Sequence, residues 1–464
     1  MQQLLLRLPG HRIYPKCMNS NTMLTTFKMG GVHPPENKLS AKAAIQRLPL
    51  PKQLIVTLGQ NLGVAPKLLV KKGDEVKTGQ LLARGEAFIS ANIHAPASGK
   101  IAKIDDALDA SGYRRQAIFI DVTGDEWIED VDTGSSIIAD LSVSKEDIIA
   151  RIKAGGLVGL GGATFPTHVK MMVPNGKKAE YLVINGVECE PFLTSDHRLM
   201  LERGEELLIG ISLMMKAIDA TRAIIGIENN KPDAIEHLRQ LSSKFSGISV
   251  QALKVKYPQG GEKQLIKAAV NREVPSGKLP IEVGCVVSNV GTAFAVYEAV
   301  QKNKPLIERV VTVTGDGLAA PSNFLVRIGT SVSELIQAAG GLPDDTAKII
   351  NGGPMMGKAL VSSDIPVVKG SSGILLLKSA NSSRKIPKSC IRCSKCTTVC
   401  PMGLEPFLLA KLSKLSLFDR CENERIMDCI ECGSCQFTCP SMLPLLDYLR
   451  LGKQKTGNLI RTRK

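Results

Sequence analysis

Eight of the twelve cysteines fall into two copies of one spacing: Cys390, Cys393, Cys396 and Cys400 followed by Pro401, then Cys429, Cys432, Cys435 and Cys439 followed by Pro440. Each copy reads C-x-x-C-x-x-C-x-x-x-C-P. Thiolates spaced by two residues turn inward on a tight loop, and three of them form three corners of a cubane. The fourth, ahead of a proline that ends the loop, points toward the other cluster. The expected ligand sets are therefore crossed: Cys390, Cys393 and Cys396 with Cys439, and Cys429, Cys432 and Cys435 with Cys400. Two [4Fe–4S] clusters held in this way move single electrons.

Other uses of cysteine fit less well. A zinc ribbon uses two C-x-x-C pairs across a long gap, four ligands in all, whereas eight thiols stand here in a duplicated three-plus-one pattern. Disulfides require export, and residues 1–29 lack a charged n-region, an apolar core and a small-residue cleavage site in that order. A radical or hydratase cluster wants three cysteines and an open iron. Cys17, Cys189, Cys285 and Cys421 are isolated in sequence and read as small buried hydrophobes.

A second chemistry is written in glycine. Gly155-Gly-Leu-Val-Gly-Leu-Gly-Gly-Ala-Thr-Phe-Pro-Thr follows a helical pattern and precedes a second one containing Lys170. Backbone N–H groups of such a loop approach a phosphate closely, and Lys170 is placed to neutralise it; a plain glycine-rich turn is the alternative. Gly315-Asp-Gly-Leu-Ala-Ala mimics a dinucleotide fingerprint, but Pro321 arrives where its helix should start, so it reads as a turn. Asn185-Gly-Val-Glu-Cys-Glu-Pro puts Glu188 and Glu190 two apart at a strand end, where α/β proteins bind ligands. The alternative there is a solvated acidic turn.

The elements around these residues follow from periodicity. Residues 50–125 are short β-branched or apolar runs broken by turn signals, a small all-β barrel or sandwich. From 140 to 305, strand-like runs (181–185, 222–227) alternate with amphipathic helical patterns (146–154, 204–218, 232–242), which reads as a sheet layered with helices. Residues 308–370 return to short strands and one helix, 331–339. A Ser/Lys-rich link, 378–389, leads to the cysteine motifs, which a helical stretch at 405–417 separates.

At 464 residues the chain is long enough for two to four domains. Its 44% hydrophobic and 22% charged residues are globular proportions. No run approaches the ~18 to 20 uninterrupted apolar residues of a membrane span. A net charge of +15 attracts nucleic acid, lipid head groups or an acidic protein. After Asp447 the tail carries Arg450, Lys453, Lys455, Arg461, Arg463 and Lys464 without an acid. This suits anionic lipid or an acidic partner, or a solvated disordered tail. Met23 opens a more regular sequence, so residues 1–22 are expected to be an upstream start or a frayed extension.

The phrases Leu69-Val-Lys-Lys-Gly-Asp-Glu-Val-Lys-Thr-Gly-Gln and Ile93-His-Ala-Pro-Ala-Ser-Gly-Lys-Ile resemble the two halves of a biotinyl or lipoyl domain. The hairpin between them has no lysine, which leaves a structural domain. Gly159-Leu-Gly-Gly-Ala-Thr-Phe-Pro-Thr-His-Val-Lys, Asn185-Gly-Val-Glu-Cys-Glu-Pro, Tyr257-Pro-Gln-Gly-Gly-Glu-Lys-Gln-Leu-Ile, Ser288-Asn-Val-Gly-Thr and the two ferredoxin motifs, in that order, resemble the RnfC component of the Rnf electron transport complex. Thr26-Phe-Lys-Met-Gly-Gly-Val-His-Pro-Pro-Glu-Asn-Lys resembles its usual beginning, and the match spans about residues 23–445. The middle is similar to the flavin-bearing NADH-binding subunit of respiratory complex I, and 310–370 to its soluble ligand-binding β-grasp domain.

The resemblance implies a non-covalent FMN held by Gly161, Gly162, Lys170, Asn185 and Asn289, with NADH laid over it and with Thr164 and Gly261 as further cofactor-binding residues. Phe165 would stack on adenine. Glu188 and Glu190 would be the catalytic acidic pair at flavin and nicotinamide, and Glu262 a further dinucleotide contact. Leu160 stands where complex I has arginine, and Thr164 where it has glycine, so the phosphate contact of that arginine is lost.

The fold class expected is multidomain α/β. An N-terminal segment (1–49) is followed by a β barrel-sandwich, lipoyl-like domain (50–125) and an α/β FMN/NADH-binding domain (126–307). A β-grasp-like domain (308–377), a C-terminal helical two-[4Fe–4S] ferredoxin-like domain (378–447) and a basic tail (448–464) complete the chain. NADH gives up a hydride whereas a cluster accepts one electron, so a flavin must sit between them. The implied function is that of a peripheral subunit on the cytoplasmic side of the cell (inner) membrane. It passes electrons between NADH and ferredoxin, coupled to Na⁺ or H⁺ translocation. Its partners would be the other subunits of the Rnf-type complex, ferredoxin (directly or through one of them) and the membrane surface, with no nucleic acid. A related complex that reduces a redox-sensing transcription factor, and a stand-alone soluble flavin/iron–sulfur NADH oxidoreductase, share these parts. A nucleic-acid-binding protein is suggested only by charge and lacks a recognition-helix or aromatic-rich basic face.

Overall fold

The computed structural model describes residues 24–382 and 385–463, so the expectations for Cys17, Met23 and residues 1–22, and for Lys464, fall outside the described residues. Residues 50–125 fold as two small antiparallel sheets. Strands Gln53–Thr57, Arg114–Gly124, Ser98–Leu108 and Glu75–Val76 form one, and Lys67–Leu68, Leu81–Arg84 and Ile93–His94 the other. Alternation does the sorting: Ile118 and Ile120 enter a core with Leu54, Leu82 and Ile101, while Ala117 and Phe119 between them face the other way with Ile55. The hairpin between the two halves carries no lysine and instead presents Asn92, whose amide donates to the Ala154 carbonyl, 3.1 Å away in the next domain.

That next domain is built on a four-stranded parallel sheet in the order Ile248–Leu253, Arg222–Glu228, Tyr181–Asn185, Cys285–Asn289. Both faces are covered, so its strands read as continuous apolar runs. Leu182 and Ile184 face helices Gly204–Ala217 and Val290–Gln301, while Val183 joins Leu265 and Val287 under helix Glu262–Val270. The chain starts at Tyr181–Asn185, adds two strands on one side, then returns to add Cys285–Asn289 on the other. This creates a switch point between the first and last strands, where open α/β sheets bind ligands.

A six-stranded mixed sheet follows, with helix Val332–Ala338 capped by a Ser331/Glu334 box. Its edge strand, Ile45–Arg47, comes from the N-terminal segment and runs parallel to Ser322–Arg327. Thr25 and Val32 bridge Leu253 and Tyr257, so the described part of the segment expected as 1–49 is a strap across two domains.

The cysteine motifs lie in a helical C-terminal domain whose core includes Leu409, Cys421, Ile426, Leu445 and Leu449. The segment expected as a basic tail is the body of one helix, Leu445–Thr462. Much of its charge is paired within the domain: Lys453 and Arg450 with Glu431, and Arg463 with Asp419 and Glu422. Among the described residues no helix is long and apolar enough to cross a membrane.

Candidate functional site

Asn185 and Asn289 are register partners at the carboxyl ends of the two switch-point strands. Asn289 caps helix Val290–Gln301, its Oδ1 accepting from the Gly291 amide at 2.8 Å. Its Nδ2 donates to Asp196 Oδ2 at 2.7 Å and to the Asn185 carbonyl at 3.4 Å. Asn185 in turn accepts from the Val187 amide and donates to the Gly260 carbonyl at 3.0 Å. Gly261 then leads into helix Glu262–Val270.

The glycine-rich loop folds back as a hairpin against this switch point. Gly159 N–H donates to the Phe165 carbonyl and Thr167 N–H to the Leu157 carbonyl, which leaves Gly161, Gly162 and Ala163 as an exposed tip. A side chain at Gly161 would reach Asn289 at 3.5 Å, and Gly162 has φ +100°, a left-handed conformation open to glycine. Thr164, also left-handed at φ 49°, accepts from the Leu62 amide. Phe165 is half-buried. Lys170, on the short helix Thr167–Met171, donates to the Val287 carbonyl at 2.8 Å and to Glu262 Oε1 at 3.1 Å.

Two buried cations stand behind the loop, both from the β-grasp domain. Lys369 Nζ donates to the carbonyls of Gly156 and Asn92, each at 2.7 Å, and burial pushes its pKa down to about 7. Arg309 donates to the carbonyls of Lys369 and Leu160; burial lowers its pKa to about 10 against the pull of Asp196. Asp196 itself is pushed up to about 7, first by burial and then by the Glu188 carboxylate.

The two expected acids are separately engaged. Glu188, at φ 46°, accepts from the amides of Asp196 (2.8 Å) and His197 (3.2 Å) and from the Ser195 hydroxyl, so it holds the first turn of helix Ser195–Glu202. Glu190 accepts from the amides of Met355 (3.1 Å) and Met356 (2.8 Å) in the β-grasp domain, and burial raises it to about 7. Lys38, from the strap, ties the loop between them by donating to the carbonyls of Glu188, Glu190 and Leu193. An open loop tip, a lysine at its base and a polar switch point fit a flavin phosphate and its chain.

Cys400, Cys429, Cys432 and Cys435 line one small cavity, walled by Met402, Leu404, Leu446 and Leu449. These four are one of the two crossed sets that the spacing predicts. Burial and the neighbouring thiols hold the Cys435 thiol high, as the dry pocket disfavours any thiolate without a metal. The amides of Leu404 and Glu431 lie 3.4 Å from the sulfurs of Cys400 and Cys429, donors that tune a cluster's potential. Four thiols around an apolar cavity with N–H···S donors fit a [4Fe–4S] cluster. In the other set Cys390 and Cys393 are exposed, and Cys396 and Cys439 half-buried. Lys388 N–H donates to the Ser441 carbonyl, and Ser441 Oγ to the Ser389 carbonyl, bringing the first motif to the end of the second.

The flavin-domain and cysteine sites touch. Tyr257, buried and parted from its proton only well above the usual range, donates to the Cys432 carbonyl at 2.8 Å. Its phenol also lies near Glu190. Sequence reasoning assigned no role to Tyr257, Asp196, Arg309, Lys369 or Lys38. A signal existed for Asp196, an acid in the first turn of a helix that follows the Glu188–Glu190 loop; the isolated cations carried none.

Four family models match the chain. They are the RnfC barrel sandwich hybrid domain over 25–125, the Nuo51 FMN-binding domain over 152–298, the SLBB domain over 310–359 and the 4Fe-4S dicluster domain over 383–440. The chain is similar to the C component of the proton-translocating ferredoxin:NAD⁺ oxidoreductase complex of Clostridium ljungdahlii, with 44% identity over 438 residues covering 93% of this chain and 94% of the relative. The C component of the Na⁺-translocating ferredoxin:NAD⁺ oxidoreductase complex of Acetobacterium woodii is 41% identical over 432 residues, 93% of this chain and 97% of the relative. The C component of the ion-translocating oxidoreductase complex of Rhodobacter capsulatus is 40% identical over 385 residues, 82% and 73% of the two chains.

Proposed function

The chain belongs to the RnfC family, the C components of the ion-translocating ferredoxin:NAD⁺ oxidoreductase complexes, and from that membership we propose that it is the NADH-facing subunit of such a complex. It carries an FMN-binding domain and a 4Fe-4S dicluster domain. In this reading it sits peripherally on the cytoplasmic face of the membrane and exchanges electrons between NADH and ferredoxin, directly or through a partner subunit, coupled to Na⁺ or H⁺ movement. The observation that carries the reading is the Tyr257–Cys432 contact, which sets the four-thiol cavity against the switch-point loop.

When bound, FMN exchanges a hydride with nicotinamide and single electrons with the [4Fe–4S] clusters. The chain's residues do the rest. Lys170 and the amides of Gly161 and Gly162 would hold the phosphate, in place of the arginine that Leu160 replaces. Asn185, Gly261 and Asn289 shape the floor, and Thr164, Phe165 and Glu262 line the approach of the dinucleotide. Glu188 fixes the helix that presents Asp196, while Glu190, with a pKa near 7, can hold or release a proton at its carboxylate under working conditions.

Anaerobic reconstitution with iron, sulfide and FMN, then EPR of the dithionite-reduced protein and optical titration with NADH, tests this. Two interacting cluster signals and a flavin bleached by NADH are the expected result. Clusters that form without FMN or NADH binding reduce the chain to an electron relay and overturn the reading.

A further inference from the structure

The two cysteine sets meet different surroundings. Cys400, Cys429, Cys432 and Cys435 line a pocket that Tyr257 of the FMN-binding domain touches at Cys432, whereas Cys390 and Cys393 are exposed. The surface about them combines two features that rarely coincide on a solvated face. Its apolar side chains stand out in water: Ile386 is 86% and Ile391 67% exposed, with Phe437 and Met442 also exposed from the second motif. The bonds between Lys388, Ser389 and Ser441 place Met442 beside the first motif, and helix Lys395–Thr398 lies against helix Ser434–Phe437. Interspersed with Ile386 and Ile391 in the same stretch are Lys385, Lys388, Arg392 and Lys395, all exposed, and residues 385–404 contain no Asp or Glu. Among the described residues none of the four pairs with a carboxylate. The cations of the terminal helix differ, since Arg450, Lys453 and Arg463 have acidic partners in their own domain.

An apolar patch interspersed with unpaired charge of one sign marks a protein contact of transient type. Resting on the electron-transfer reading above, we propose that the face formed by Ile386, Lys388, Ile391, Arg392, Lys395 and Met442 docks an acidic iron–sulfur protein that exchanges single electrons with the chain. Charge complementarity selects the partner: carboxylates on its rim meet the four cations, and its own apolar tip meets Ile386 and Ile391. Long-range attraction sets the encounter rate, and the small contact keeps the complex short-lived, as turnover requires. One electron leaves one partner as the other gains it, and no further reactant is needed.

The test uses the reconstituted full chain and, as probe, a small acidic two-[4Fe–4S] ferredoxin, with a basic c-type cytochrome as the opposite-sign control. Binding is measured by biolayer interferometry from about 0.01 M to about 0.1 M salt, over which the screening length falls from about 30 Å to about 10 Å. Ferredoxin binding that weakens at least about tenfold over this range is expected, with none for the cytochrome. Reversal of three charges (K388E, R392E and K395E) should remove the ferredoxin affinity and its salt slope and create affinity for the cytochrome. Iron and labile sulfide are counted in each variant. Should the triple variant lose iron, K388E and I386S, which precede the first ligand, read the same surface.

Salt-independent binding, or reversal without effect, overturns the proposal. So does loss of binding to phosphatidylglycerol vesicles on reversal while ferredoxin binding is unchanged, since the face would then serve a membrane. NADH bleaching of flavin in the same samples separates the two readings: if it fails while ferredoxin still binds, the functional assignment falls and the docking face stands.

Discussion

The phenolic oxygen of Tyr257 lies 3.4 Å from Oε1 of Glu190 and 2.8 Å from the carbonyl oxygen of Cys432. The phenol has one proton, and the shorter contact claims it. A protonated Glu190 can donate to the same oxygen and complete a chain from carboxyl to phenol to carbonyl. Tyr257→Phe keeps the packing and leaves the Cys432 carbonyl without its donor, so a loss of about 1 kcal/mol is expected. Urea unfolding measures it. EPR of the buried cluster should shift while iron content is unchanged; an unshifted spectrum would show that the contact is packing alone.

Glu190 makes stability depend on pH. Its pKa rises from 4.5 to about 7 on folding, so between those values the native state binds more protons than the unfolded one. Stability from this group is therefore full below about pH 4.5 and falls as pH rises toward 7. Glu190→Gln removes the fall. The variant should gain on the wild type by about 3 kcal/mol between pH 4.5 and pH 8, the linkage expected of a shift of that size. Paired urea titrations at the two pH values, compared as a difference, cancel the opposing contributions of His94 and Lys369. A constant difference would mean that Glu190 is ionised throughout.

Lys170→Met separates binding from folding. Its ion pair with Glu262 is half-exposed and contributes little, and loss of the part-buried bond to the Val287 carbonyl should cost about 1 kcal/mol, well short of unfolding the domain. A charge-assisted bond to phosphate contributes about 1.5 to 3 kcal/mol, and FMN affinity should drop about 10- to 100-fold. Fluorescence quenching during FMN titration of the apoprotein reads this, and riboflavin, which lacks the phosphate, should bind both proteins alike.

Arg309→Met leaves the carbonyls of Lys369 and Leu160 without their donor and removes the positive charge that favours the Asp196 carboxylate, and should cost about 1 to 3 kcal/mol. Adding Asp196→Asn removes the carboxylate that Arg309 favours and should recover the electrostatic part of the loss, a coupling that a double-mutant cycle measures. Additive losses would place the two groups out of each other's reach.

How much of this was legible depends on how local the cause is. Strand Tyr181–Asn185 and helix Pro232–Ser242 have the bounds that the sequence suggests, one an uninterrupted apolar run and the other opened by a proline at its first turn. Cysteine spacing pointed to the ligand sets because loop geometry is local, and the Cys400/429/432/435 set does line one cavity. Three features have non-local causes and were missed. Strand Ile45–Arg47 completes a sheet whose other strands lie some 270 residues on, and no local pattern announces such a pairing. Arg309 and Lys369 drew no reading, since such side chains are almost never buried unless paired and nothing local marks an exception. The terminal helix continues its buried stripe from Leu445 and Leu449 through Gly452 and Thr456, two residues that do not register as apolar.

The ammonium of Lys369 has a further consequence. A single side chain from the β-grasp domain holds a carbonyl of the barrel-sandwich hairpin and a carbonyl at the root of the glycine loop. Three stretches that fold into separate domains therefore share one buried proton donor. Exchange of any one of them with a homologue succeeds only if the incoming backbone offers its carbonyl at the same place, so the inheritable unit is the trio.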